Sequence, residues 1–326
     1  SRANAVYLFE ELELRPGTRL QAAGRYEVDR LSSTAAQFPS DYVPVDGQEP
    51  FQYARTRRFA PKSASIGALQ DLPYGFVASL TGSYVERGPT GYELFSQGPH
   101  DATATFEIGN PNLKKERART VEASIRRAEG PFRLDATGYF TRYTGFIYRN
   151  YTGLTCDDDF ASCGVGTDNR QIVYQQQNAT FYGAEIIGQY DLLPVGNGFA
   201  GIEGQFDFVR AQFDNGTNVP RIPPYRLGGG VYLRADGWFA RVNLIHAFSH
   251  DATAVYETPT PGYDDLRAEL SYTKAVDPAV YGASAITLGV QGRNLLNDDI
   301  RNSTSFKKDE ILLPGRNVRL FLTARF

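Results

Sequence analysis

The feature that most constrains this chain is an alternation of apolar and polar side chains with a period of two, repeated segment after segment along its length. At the end of the sequence Val318, Leu320, Leu322, Ala324 and Phe326 fall on one face of an extended strand, and Asn317, Arg319, Phe321, Thr323 and Arg325 on the other. Upstream, Leu266, Ala268, Leu270 and Tyr272 oppose Asp265, Arg267, Glu269 and Ser271, while Ala240, Val242 and Leu244 oppose Arg241 and Asn243. Ile202, Phe206 and Phe208 oppose Glu203, Gln205 and Asp207, and Phe132, Leu134, Ala136 and Phe140 oppose Arg133, Asp135, Thr137 and Thr141. A helix would scatter these residues around its circumference; only a strand gives each segment one apolar and one charged face. Roughly thirteen such segments of about ten or more residues can be counted.

The connections alternate as well. Short turns are expected at Arg15-Pro16-Gly17-Thr18, Leu72-Pro73-Tyr74-Gly75, Glu129-Gly130-Pro131, Pro194 to Gly198, Ala235-Asp236-Gly237 and around Val276-Asp277-Pro278. Between them lie long polar loops near 31–60, 87–116, 150–170, 213–224, 251–262 and 294–316. In an up-and-down antiparallel sheet every second connection lies on the same side, so the short turns share one rim and the long loops the other. Membrane β-barrels have this asymmetry. A soluble sandwich has strands about half as long, and its buried face could not hold so many charges without several kcal/mol of cost for each unpaired one. The predicted fold class is therefore all-β, a transmembrane antiparallel up-and-down β-barrel with about 13 strands present. Aromatics next to turns, such as Trp238, Phe132 and Phe199, suit the headgroup interface.

Other classes fall away. No run of about 18 apolar residues exists for a membrane helix. The 34 Lys+Arg against 37 Asp+Glu give a net charge of −3, which argues against nucleic acid as a partner. No Gly-x-Ser-x-Gly, phosphate loop or His-Glu-x-x-His is present, so no enzyme and no cofactor are expected. Cys156 and Cys163 lack the neighbouring Cys or His of a zinc site and read as a local loop disulfide, implying an oxidising compartment. The opening Ser1-Arg2-Ala3-Asn4 and the absence of methionine fit a processed chain or an excerpt.

Three stretches resemble one family. Leu313-Pro314-Gly315-Arg316-Asn317-Val318-Arg319-Leu320-Phe321-Leu322-Thr323-Ala324-Arg325-Phe326 resembles the last strand of TonB-dependent outer-membrane receptors. Gly109-Asn110-Pro111-Asn112-Leu113-Lys114-Lys115-Glu116 resembles their Asn-Pro-x-Leu-x-x-Glu segment, and Gly292-Arg293-Asn294-Leu295-Leu296-Asn297-Asp298 the segment closing the penultimate strand. The resemblance implies an integral protein of the Gram-negative outer membrane, inserted among its lipids by the barrel assembly machinery, which reads Gly315, Val318, Leu320, Leu322 and Phe326. It implies active transport of a scarce nutrient, a metal chelate such as an iron-siderophore, or zinc, driven by the TonB-ExbB-ExbD complex through a plug. Such receptors have 22 strands around a plugged lumen, so residues 1–326 are expected to form the C-terminal portion of the barrel, with the plug and first strands missing. The other reading is a passive, porin-like diffusion channel of about 14 strands.

Candidate ligand residues lie in the long loops. His100 and Asp101 follow Gly98-Pro99, a stretch that looks like the zinc-importing branch of that family. Asp157, Asp158 and Asp159, held between the cysteines, could offer carboxylate oxygens to a hard cation or form a solvated tip. His246 and His250 are about 13 Å apart on an extended strand, too far for one ion. The charged row Arg133, Asp135, Glu185, Glu203, Asp207, Arg226, Arg241, Arg267, Glu269, Arg293 and Arg319 is expected to face the lumen and pair across strands.

Overall fold

The computed structural model describes residues 1–33, 55–157, 163 and 169–326. Its chain order is β1 (Arg2–Arg15), β2 (Thr18–Ser33), β3 (Arg55–Phe59), β4 (Lys62–Leu72), β5 (Phe76–Arg87), α1 (Gly91–Phe95), β6 (Gln97–His100), β7 (Thr105–Ile108) and β8 (Glu116–Arg127). Then come β9 (Phe132–Cys156), β10 (Asn169–Val195), β11 (Gly198–Phe213), β12 (Arg226–Ala235), β13 (Trp238–Ala247), β14 (Tyr263–Ala275), α2 (Pro278–Tyr281), β15 (Ala285–Arg293) and β16 (Asn317–Arg325). Thirteen of these strands form one antiparallel wall in the order β1-β2-β4-β5-β8-β9-β10-β11-β12-β13-β14-β15-β16. An antiparallel path with an odd number of strands starts and ends in the same direction, so β1 and β16 run parallel. Among the described residues nothing pairs with their outer edges.

Period two decides which side each residue faces. Ile66, Leu80, Val121 and Val231 stand outward and are 65%, 57%, 56% and 57% exposed. In water such a continuous apolar band would be an association surface; against hydrocarbon it is the solvated one. The opposite face carries ion pairs across strands: Arg133 with Asp191 at 2.8 Å, Arg226 with Asp207 at 3.0 Å and Arg241 with Glu203 at 2.6 Å. The charged row expected to face the lumen does so at these positions.

Short turns share one rim. Asp236 and Gly237 take positive φ, 50° and 84°. A Cβ on Gly237 would lie 2.4 Å from the Thr273 carbonyl oxygen, so glycine is required there. Aromatic rings gather at the same rim, as suits the headgroup interface. Phe76 lies against Phe132 at 6.3 Å, Phe132 against Tyr190 at 6.4 Å and Trp238 against Tyr272 at 4.8 Å.

At the long-loop rim, β9 runs 25 residues and β10 runs 27 residues. Both are far longer than the roughly 9 to 11 residues that cross a bilayer. Their ends, at Cys156 and Asn169, take up both flanks of the loop expected at 150–170. β7 adds to the raised end of β10 in parallel, pairing Thr105–Ile108 with Arg170–Val173. The alternation reading does not separate β3, β6 and β7, which are 5, 4 and 4 residues long and lie off the wall. The four residues of β7 alternate polar and apolar but are all buried, and so short a segment does not stand out as a strand. The buried apolar clusters also sit at this rim, one of them joining Leu31, Phe59, Leu94, Leu113, Ile147 and Tyr174.

Candidate functional site

Two of the family-like stretches act as locks that hold this rim together. In the first, Gly109 donates its N–H to the Ser96 carbonyl at 2.9 Å and Asn110 donates to the Glu93 carbonyl at 2.8 Å, closing the loop behind α1. The Asn110 side chain caps the turn by accepting from the Asn112 N–H at 2.9 Å, and Leu113 is buried. A Cβ on Gly109 would sit 2.6 Å from the backbone nitrogens of Phe95 and Ser96, so only glycine permits this approach.

In the second, Asn294 is 2% exposed with φ +47° and is bonded on every side. Its N–H donates to Asp265, its amide donates to the carbonyls of Asp298 and Pro314, and its side-chain oxygen accepts from the Asp298 N–H. The Asp298 carboxylate in turn accepts from the Asp264 N–H at 2.7 Å. The start of β14, the end of β15 and the approach to β16 are thereby joined at one buried side chain.

The locks position a polar and aromatic network contributed by five loop regions. Glu107 on β7 is 1% exposed. It accepts from Arg149 Nη1 and from the Tyr174 hydroxyl, each at 3.2 Å. His100 Nδ1 lies 4.0 Å from Glu107 and 2.7 Å from the Thr103 hydroxyl. Arg149 extends over the Phe306 ring, 4.8 Å from its centroid, and Arg221 lies over the same ring at 4.3 Å. Tyr151 meets Phe306 edge-on at 5.7 Å, and Arg170 lies 4.0 Å from the Tyr151 centroid. Two guanidiniums on one phenyl ring are like charges held together, tolerable because a ring face attracts cations.

Arg221 carries the tension of this arrangement. Its Nη2 donates to the Arg149 carbonyl at 3.1 Å, but its Nη1 is buried with no hydrogen-bond partner among the described residues. Burial, and then the neighbouring charge of Arg149, draw its pKa down to about 10, with Glu257 pulling the other way. A buried donor without an acceptor costs about 1–3 kcal/mol. A cation so placed is complementary to an incoming anion.

Of the sequence-derived candidates, His100 joins this network through Glu107 and Thr103. Asp101 is exposed, and its carbonyl accepts from Lys307 Nζ at 3.0 Å, tying the His100 loop to the β15–β16 loop. Cys156 and Cys163 are bonded, with Sγ atoms 2.02 Å apart, and Phe106 of β7 packs in the same apolar cluster. Asp157 is half-buried beside them; Asp158 and Asp159 lie outside the described residues. In register, Arg170 pairs with Thr105 on one side and Thr155 on the other, so β10 separates the His100 loop from the cysteine loop. No group of three or more His, Cys, Asp or Glu among the described residues is arranged to hold a metal ion. His246 faces outward and binds Asp264 at 2.8 Å, while His250 is buried. Sequence reasoning missed Glu107, Arg149, Arg221 and Phe306, which converge only through loop packing; the one signal was a carboxylate inside the apolar run Phe106-Glu107-Ile108.

A raised loop layer on an outward-apolar strand wall is the architecture of a known group of proteins, and the TonB dependent receptor-like, beta-barrel family matches residues 1–295. The chain belongs to that family. As a TonB-dependent receptor barrel it is a protein of the Gram-negative outer membrane, as the outward apolar band requires. It is 29% identical over 216 residues to hemoglobin-haptoglobin utilization protein B of Neisseria meningitidis serogroup C, covering 62% of this chain and 26% of that protein. In fold it resembles the copper transporter OprC with a TM-score of 0.76 at 15% identity, covering 98% of this chain and 48% of that one. It also resembles a double mutant of the Serratia marcescens hemophore receptor HasR, in complex with its hemophore HasA and heme, with a TM-score of 0.63 at 17% identity, covering 99% and 51%. The chain thus spans about a quarter of that curated relative and about half of those solved structures.

Proposed function

We propose that residues 1–326 form the C-terminal wall and ligand-facing loops of a TonB-dependent receptor that imports an anionic, metal-bearing chelate. The supporting observation is the stack of Arg149 and Arg221 on Phe306, with Arg221 Nη1 buried and without an acceptor among the described residues. Guanidiniums beside aromatic rings suit planar carboxylate or catecholate groups, which accept two parallel hydrogen bonds and stack. An iron-siderophore or heme-type ligand fits this chemistry better than bare zinc, for which a cationic cluster is repulsive. In this reading His100, Asp101 and Asp157 serve as secondary ligand contacts, and Asp158 and Asp159, which lie outside the described residues, are proposed as further ones. The energy comes from the TonB-ExbB-ExbD complex acting on a plug. The barrel assembly machinery recognises the terminal strand through Gly315, Val318, Leu320, Leu322 and Phe326, whose outward residues and ring are exposed.

The test is uptake of radiolabelled ferric chelates and heme by iron-starved cells carrying the receptor, with and without an intact TonB system. Expected are uptake that stops without TonB while surface binding persists, and a loss of about tenfold or more in binding for Arg221→Met. Uptake that survives loss of TonB would instead support the diffusion channel.

A further inference from the structure

The lumen face of the wall is not uniform. On the face opposite the outward Ile66 and Leu80, β4 presents Ser63, Ser65, Gly67 and Leu69, and β5 presents Val77, Ser79, Thr81, Ser83 and Val85. From Val77 to Val85 the strand covers about 27 Å, so these two strands carry an uncharged track of mostly small side chains along most of their length, ended by Asp71 and Arg87. The hydroxyls continue sideways, because Ser65, Ser83, Thr120 and Thr141 stand opposite one another in register across β4, β5, β8 and β9. Ser79 and Ser124 approach to 2.6 Å, and Thr120 and Thr141 to 2.9 Å.

The other neighbouring strands of the wall carry charge midway along the same face, from Glu11 of β1 to Arg319 of β16. The ion pairs of Arg133, Arg226 and Arg241 occupy β9 to β13, and Arg293 and Arg319 stand opposite the neutral Asn317 and Gln291. A sector of both signs suits a polar partner held by complementary pairing. The β4 and β5 sector offers such a partner nothing to pair with, and its short side chains leave room beside one. At the long-loop end of this track an open groove of about 510 Å³ lies among Tyr7, Phe9, Ser63, Ser65, Ser83 and Val85, a volume within the range of small-molecule sites. Arg25, opposite Ser63, stands at its mouth, and Glu122, opposite Thr81, bounds the track on the β8 side. Farther up β2 on the same face, Leu31 packs in one cluster with Tyr174, whose hydroxyl binds Glu107. The groove is thus continuous with the loop network that holds Arg149.

We propose that the path of the imported chelate runs along the lumen face of β4 and β5, an inference that rests on the reading of this chain as part of an importer of an anionic chelate. The ligand leaves the arginine network past Arg25, rests in the groove with its planar groups against Tyr7 and Phe9, and descends over Ser83, Thr81 and Ser79. Hydroxyls donate to its oxygens one after another, each bond too weak to hold it, which is what passage through a narrow route requires. The Glu122 carboxylate repels an anion and keeps it over β4 and β5. The charged sector from β9 to β16 is left to hold the plug.

The test measures surface binding and import separately, with a radiolabelled ferric tris-catecholate and with heme as probes, in iron-starved cells carrying the full receptor. Ser83→Trp and Thr81→Trp fill the track and are expected to bind the imported probe as the parent does while importing it about tenfold or more slowly. Thr287→Trp, the same kind of enlargement on the lumen face of β15, is expected to import normally. If the tryptophan variants fail to assemble, Ser83→Cys serves: it is expected to import like the parent and to lose import, with binding retained, once a bulky maleimide is attached during transport. TonB-dependent import by the parent with unaltered import in the Ser83 and Thr81 variants, or an equal loss in Thr287→Trp, would overturn the path alone. A parent that imports neither probe, or imports without TonB, would overturn the importer reading and the path with it.

Discussion

His250 shows how a single residue makes the loop layer sensitive to pH. It is 7% exposed on the segment between β13 and β14, and its Nε2 is buried without a partner among the described residues. Burial lowers its pKa below the ordinary 6.5; Lys308 and Arg210 lower it further, while Glu257 and Asp251 oppose them. The unfolded or opened loop therefore binds a proton more readily than the folded one. The contribution of the neutral ring is present above about pH 6.5 and is lost as pH falls through the depressed folded value. Limited proteolysis of this loop should accelerate between about pH 7 and pH 5 in the parent and stay nearly flat in His250→Gln. Arg221→Met tests a neighbouring trade: removing a desolvated, half-satisfied cation should leave thermal stability unchanged or raise it by roughly 1 kcal/mol, while ligand uptake falls.

At the scale of elements, two short motifs do different work on the same rim. Asn294 joins β14, β15 and the approach to β16 by four hydrogen bonds. Asn294→Ala leaves buried donors and acceptors open and should cost about 1–3 kcal/mol. The check is the melting temperature of the receptor in detergent together with its heat-modifiable mobility on gels. Gly109→Ala forces α1 and β7 apart instead, far from the wall pairing. It should preserve heat-modifiable mobility and lose chelate binding, because β7 positions Glu107 and through it Arg149. A variant that lost mobility would mean that the loop behind α1 supports the wall itself. These motifs were visible in the sequence as strings, but their bonds between elements were not, because Asp265 and Pro314 for Asn294, and Ser96 and Glu93 for the first motif, lie well beyond each motif's own turn of chain.

At the scale of the molecule, the wall has two unsatisfied edges among the described residues. β1 is exposed along all 14 residues, and β16 has eight of nine residues exposed. Long free edges with alternating apolar residues pair with whatever strand is offered. Residues 1–326 expressed alone in detergent should therefore associate, and light scattering after size exclusion should give more than the 36.1 kDa of one chain. A monodisperse monomer would mean that the edges are shielded by other means.

The wall could be read from the order of side chains alone. Period two allows only strands, the charged face excludes a dry core, and the alternation of short and long connections assigns the two rims; thirteen wall strands follow from counting. These signals are local, since each depends on neighbours one or two residues away. The loop layer, by contrast, is set by contacts made in three dimensions. Arg149, Arg221 and Phe306 come from separate segments, and β7 reaches β10 in parallel past β8 and β9, its four alternating residues too few to announce such a pairing. Contacts between distant segments depend on how the loops close over one another, and that closure is set by packing and charge in three dimensions.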